Sequence, residues 1–146
     1  MTHGAILLVE DNASDIGLTK RAFMKKNIAN PLVVVQDGQE ALDYLFCVGP
    51  YAGRPDKNTP SVILLDINLP KIGGLAVLRH IREDERTKLI PVIMLTTSKE
   101  EQDLVASYTN GANSYIRKPV DFTQFLEAVG QLGMYWLILN ETPQQY

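Results

Sequence analysis

Short apolar runs recur along the chain: Ala5–Val9, Leu32–Val35, Val62–Leu65, Val92–Leu95 and the pair Tyr115–Ile116. Four of them are rich in Val, Ile and Leu and do not alternate apolar with polar positions. Strands read this way when both faces are buried, as in a parallel sheet covered by helices. Segments of helical period lie between the runs. Three of these open on a capping signal, Asp37-Gly-Gln-Glu40, Ser98-Lys-Glu-Glu101 and Asp121-Phe-Thr-Gln124, in which a side-chain oxygen stands three residues before Glu or Gln. Gly111 follows the fourth helical pattern, where a left-handed cap is expected. The order is strand then helix, five times over. Short connections and right-handed crossovers then predict an α/β fold, a doubly wound five-stranded parallel sheet with helices on both faces.

The chain of 146 residues suits one domain with its own core. One connection is long: residues 48–61 carry three prolines and two glycines, and read as an extended loop that is functional or a family insertion. Residues 140–146 read as a polar tail. No repeat, low-complexity tract or interdomain linker interrupts the pattern. With 45% hydrophobic and 21% charged residues, composition is that of an ordinary globular protein. The net charge is −3 and no basic run stands out, which argues against a nucleic-acid arm or a membrane-surface patch. The single cysteine, Cys47, cannot form an internal disulfide and reads as a small packing residue on an amphipathic helix. The amino-terminal apolar run is short and ends in acids, unlike a signal peptide or a membrane span, so the expected location is the cytoplasm.

In an open α/β sheet, sites form at the carboxyl ends of the strands. The first strand ends in Glu10-Asp11, the third in Asp66 followed by Ile67-Asn68, and the fourth in Thr96-Thr97; Lys118-Pro119 follows the fifth. Glu10, Asp11 and Asp66 would repel one another in a shared cleft unless a cation is present. As hard oxygen ligands they suit Mg²⁺ with several retained waters. Asp66 could then act as a nucleophile on phosphorus, Lys118 could meet a phosphoryl oxygen as a point charge, and Thr96 could donate its hydroxyl to another.

These residues resemble the receiver domain of two-component response regulators. The likeness runs from Ile6 to about Asn140, through LLVEDN at 7–12, LLDINLPKIGG at 64–74, VIMLTTS at 92–98 and SYIRKP at 114–119. The resemblance implies a single receiver domain of the flavodoxin-like type, strand order 2-1-3-4-5, with no output domain. It implies Asp66 as phosphoacceptor, and Glu10, Asp11, Asp66 and the backbone carbonyl of Asn68 around Mg²⁺. It makes Thr96 the switch hydroxyl, Tyr115 the switch aromatic and Lys118 the lysine that meets the phosphate. Glu10 stands where many receivers have Asp, and its longer side chain suits contact through water. The loop containing RPD, the phrase NSYIRKPVDFTQFLEAV and the ending QLGMYWLILNE further resemble the cyanobacterial phytochrome-associated single-domain response regulators. That narrower likeness implies a phytochrome-type sensor histidine kinase as phosphoryl donor.

On the fifth helix, Phe125, Val129, Leu132, Trp136 and Leu139 form one apolar stripe. Met134, Tyr135, Leu137 and Ile138 add apolar surface on other faces, which predicts a cover. A homodimer through Tyr135, Trp136 and Leu139 is the first expectation, and folding back over the domain's own core the second. Output is then by protein contacts rather than DNA binding. Three other functions compete. An aspartyl-phosphate phosphatase would need an acid/base at Asn68, where typical relatives have Asp. A nucleotide-binding or flavodoxin-like module would need a glycine-bearing phosphate loop after the first strand, and the loop there is acidic. A receiver-shaped scaffold that is never phosphorylated has no use for the full set of site residues.

Overall fold

The structure, a computed structural model, describes residues 4–26, 28, 30–54, 59–106, 112 and 114–133. Five strands, β1 (Ile6–Val9), β2 (Leu32–Val35), β3 (Val62–Asp66), β4 (Val92–Thr96) and β5 (Ser114–Arg117), form one sheet in the order β2-β1-β3-β4-β5. Every pairing is parallel. The helices are α1 (Ala13–Met24), α2 (Gly38–Phe46), α3 (Gly74–Glu83), α4 (Lys99–Ala106) and α5 (Phe122–Gln131). The predicted fold class and strand order are therefore those observed.

The apolar runs work as expected because the central strands are buried on both faces. All residues of β1, β3 and β4 are buried, whereas β2 and β5 at the edges are only partly so. Successive side chains of a strand point to opposite faces. Leu7, Val9, Ile63, Leu65, Val92 and Met94 accordingly join α2 and α3 in one core layer. Ile6, Leu8, Val62, Leu64, Ile93 and Leu95 join α1 and α5 in the other. There the ring centroids of Phe23 and Phe125 lie 4.7 Å apart, and Phe125 is fully buried.

The three capping signals hold. Asp37 accepts from the Glu40 amide at 2.7 Å, Ser98 from that of Glu101 at 3.2 Å and Asp121 from that of Gln124 at 2.8 Å. The return arms of the first two reach one residue further back than a capping box requires. Glu40 accepts from the Gln36 amide and Glu101 from the Thr97 amide. Replacing the Asp37 cap, Asp37→Ala, should cost about 1 kcal/mol in urea unfolding; an unchanged midpoint would mean that the Asp37 bond adds nothing to α2.

The segment after α2 departs from an irregular loop. Gly49–Tyr51 make a 3-10 turn. The Tyr51 hydroxyl donates to Glu40 at 2.6 Å, which pushes its pKa up to about 12. Arg54 lies 4.2 Å from the Tyr44 ring centroid and donates to the Tyr44 carbonyl and to Cys47 Sγ. Proximal residues of the long loop are thus pinned to α2 by a stacked guanidinium. Cys47 is not a packing residue within the helix. It is the left-handed C-cap of α2, with φ 55°, a conformation that is uncommon without glycine. Gly111, Tyr135, Trp136, Leu139 and the polar tail lie outside the described residues.

Candidate functional site

Strand register decides which side chains meet. Val9 pairs with Leu65, so Glu10 comes level with Asp66 at the next position. Asp66 pairs with Leu95, placing Thr96 one step beyond it, and Thr96 pairs with Arg117, placing Lys118 one step further. The Lys118 amide donates to the Thr96 carbonyl at 2.7 Å, fixing the start of a cis Lys118–Pro119 bond. Four strand ends thereby descend on one edge of the sheet.

The centre is Asp66, buried to 1% exposure. Its Oδ1 accepts from the Asn68 amide at 3.1 Å and its Oδ2 lies 3.0 Å from Lys118 Nζ. The two bonds fix the carboxylate on both oxygens. Glu10, equally buried, lies 3.2 Å from Lys118 Nζ through Oε1 and accepts from the Asn12 amide at 3.2 Å through Oε2. Asp15, one turn into α1, stands 3.4 Å from the same ammonium. Asp11 is exposed beside them.

Three carboxylates, of Glu10, Asp15 and Asp66, thus crowd around one ammonium. Burial, together with the neighbouring Asp66, pushes the Glu10 carboxyl up to about 7 despite Lys118. Burial alone would pull Lys118 down, but the hydrogen bond and charge of Asp66 and the charge of Glu10 outweigh it and raise its pKa. Oxygens of Glu10, Asp11 and Asp66 lie within 4.8 Å of one another. A small hard dication fits this set: the donors are all oxygen, they converge, and they carry more negative charge than the lysine offsets.

Thr96 adds a second signal. Its side chain is completely buried, and its hydroxyl has no hydrogen-bond partner among the described residues. A buried hydroxyl left this way costs free energy, and such orphans mark a place where a ligand or ordered water completes the bonding. Tyr115, on the edge strand β5, is 45% exposed.

The structure therefore brings Glu10, Asp11, Asp66, Thr96 and Lys118 to one edge, as the strand ends predicted. Two further residues enter. Asp15 is a third anionic partner of Lys118. Glu101, legible only as a helix cap, accepts at Oε2 from the Asn68 side-chain amide at 2.6 Å. The acidic loop after the first strand was the sequence hint of the first. For the second nothing local pointed to Asn68, which lies 33 residues away.

The response regulator receiver domain model matches residues 6–130. The probable methanogenesis regulatory protein FilR2 of Methanothrix harundinacea is 41% identical over 138 residues, covering 94% of this chain and 86% of that protein. Response regulator Rcp1 of Synechocystis sp. is 37% identical over 132 residues, covering 90% of this chain and 88% of that one. Its Mn²⁺-bound structure has a TM-score of 0.73 at 36% identity, covering 96% of this chain and 99% of that one. The bacteriophytochrome response regulator AtBRR has a TM-score of 0.89 at 50% identity, covering 97% of this chain and 100% of that structure. Among the described residues, no helix is long and apolar enough to cross a membrane. The chain belongs to the response regulator receiver domain family and is related to the phytochrome response regulators within it.

Proposed function

We propose that this chain is a phosphorylation switch that takes a phosphoryl group on Asp66 in a Mg²⁺-dependent reaction and signals through protein contacts. The observation that carries the proposal is the buried Asp66 carboxylate, held 3.0 Å from Lys118 Nζ within an acidic cluster built for a dication. The donor is a sensor histidine kinase of the phytochrome type, in keeping with the relatives Rcp1 and AtBRR.

Transfer forms a bond between an Asp66 oxygen and phosphorus. The bond from phosphorus to the donor's histidine nitrogen breaks, its electron pair stays on that nitrogen, and the imidazole, which carries a proton on its other ring nitrogen, is left neutral. Mg²⁺, held by Glu10, Asp11, Asp66 and the Asn68 backbone carbonyl, supplies neutralising charge to the phosphoryl oxygens when bound. Lys118 transfers its ion pair from the Asp66 carboxylate to a phosphoryl oxygen. Thr96 gives its orphaned hydroxyl a partner by donating to another. Its displacement leaves space behind, into which Tyr115 turns from its exposed position on β5. Phosphorylation acts by favouring one of two arrangements of the α4, β5 and α5 surface. A homodimer through the α5 region, using Tyr135, Trp136 and Leu139, presents that surface to partners, and the switch operates in the cytoplasm.

Incubation with acetyl phosphate tests the reading by intact-protein mass. One labile phosphoryl group should appear with Mg²⁺ and vanish with excess EDTA. No gain with Mg²⁺, from acetyl phosphate or from a cognate kinase, would leave a receiver-shaped scaffold as the function.

A further inference from the structure

Glu101 sits in the first turn of α4, apart from the Lys118 cluster, yet its carboxylate joins two loops of the site. Oε2 accepts from Asn68 Nδ2 at 2.6 Å, and Asn68 lies two residues past the Asp66 nucleophile. Oε1 accepts from the Thr97 amide at 2.7 Å and from the Thr97 hydroxyl at 3.1 Å, immediately after Thr96. One side chain therefore ties the loop after β3 to the loop after β4. Charge-assisted bonds of this length are among the stronger ones in proteins. Burial raises the Glu101 carboxyl, but the Thr97 and Asn68 bonds and the charge of Lys118 together lower it below the ordinary value, so it stays anionic. The cap of α4 is made by Ser98 Oγ on the Glu101 amide and needs neither of these contacts. The Asn68 contact is extra, and it links α4 to the chain two residues past Asp66.

We infer that Glu101 is a positioning residue that latches Asn68 to Thr97 and sets how readily a phosphoryl group enters and leaves Asp66. Two physical effects act in the same direction. The latch narrows the approach for donor and for hydrolytic water, and its negative charge faces an incoming anion. Releasing it should speed both uptake and loss. The inference rests on Asp66 being the phosphoacceptor.

The test measures phosphoryl uptake from acetyl phosphate, and its loss after donor removal, in wild type, Glu101→Ala, Asn68→Ala and the double variant, all with saturating Mg²⁺. Glu101→Ala should speed loss by about three- to tenfold, the range expected when a hydrogen bond of ordinary net strength, about 1 kcal/mol, is released. Asn68→Ala should do the same, and the double variant should be no faster than the faster single one, since both remove one link. Glu101→Gln keeps an acceptor for the Thr97 amide and, with the Asn68 amide turned over, keeps the link, so its loss rate should stay within about twofold of wild type. Thermal melts of the unphosphorylated variants separate this from a loosened α4, which would lower the melting temperature of Glu101→Ala without coupling it to Asn68→Ala in the rates. Loss rates in Glu101→Ala that match wild type, or additive effects in the double variant, would overturn the latch while leaving Asp66 in its role. A wild type that takes up no phosphoryl group would overturn the role of Asp66 and the latch with it.

Discussion

Asp66→Asn should take up no phosphoryl group from acetyl phosphate or from a kinase, while folding at least as stably as wild type. The amide cannot serve as the nucleophile, so uptake falls to background rather than by a modest factor. The stability half of the expectation comes from the crowding. Asp66 is one of three carboxylates around Lys118, and Glu10 and Asp15 remain to pair the ammonium when it is neutralised. Removing one charge from a repelling set relieves the rest, so the melting temperature without metal should hold or rise. Mg²⁺ should raise the melting temperature of wild type, because it binds the folded state alone, and should raise that of the variant less. Labelling of Asp66→Asn equal to wild type would remove Asp66 from its role. A melting temperature well below wild type would mean that Lys118 depends on Asp66 more than the crowding allows.

Gly74→Ala should be the most damaging small substitution near the site. Gly74 opens α3, and its amide donates to the Ile67 carbonyl at 3.0 Å. A β-carbon there would collide with the Asp66 carbonyl oxygen and come 2.7 Å from Ile67 Cα. Both are backbone atoms, and they carry the nucleophile, so neither can yield as a flexible side chain would. Overpacking of this kind costs about 3 kcal/mol, which for a domain of this size lowers the melting temperature by roughly 10 °C. Uptake at Asp66 should slow in parallel because its strand end is displaced. A melt within about a degree of wild type would show that α3 can shift away at little cost.

The two substitutions mark what was legible in the sequence. The nucleophile, Thr96 and Lys118 could be read because each closes a strand, and parallel register carries strand ends to one edge whatever the helices do. Burial on both faces made β1, β3 and β4 read as continuous apolar runs, which gave the layer order. The parts that were not legible depend on contacts between elements far apart in the chain. The Asp15 contact with Lys118 needs the first and last connections of the sheet side by side. Glu101 looked like part of a cap, and its amide is the one that Ser98 caps, but its side-chain bond to Asn68 exists only because α4 starts beside β3. Cys47 resembled a helix-face residue because its neighbours are apolar, whereas the chain turns left-handed at that position and sends Arg54 back onto Tyr44. Composition suggested a loop in 48–61, and the stacking that shapes its first residues has no local signature.

The central claim is a covalent bond on one named side chain, and locating that bond tests it most directly. Phosphorylated protein is treated with borohydride, which reduces an acyl phosphate to the alcohol and leaves homoserine where aspartate stood. Tandem mass spectrometry of the peptides then finds the converted residue. Homoserine at position 66, formed only after incubation with phosphodonor and Mg²⁺, is the predicted result. Conversion at another carboxylate, such as Glu10 or Asp11, with position 66 intact would contradict the account.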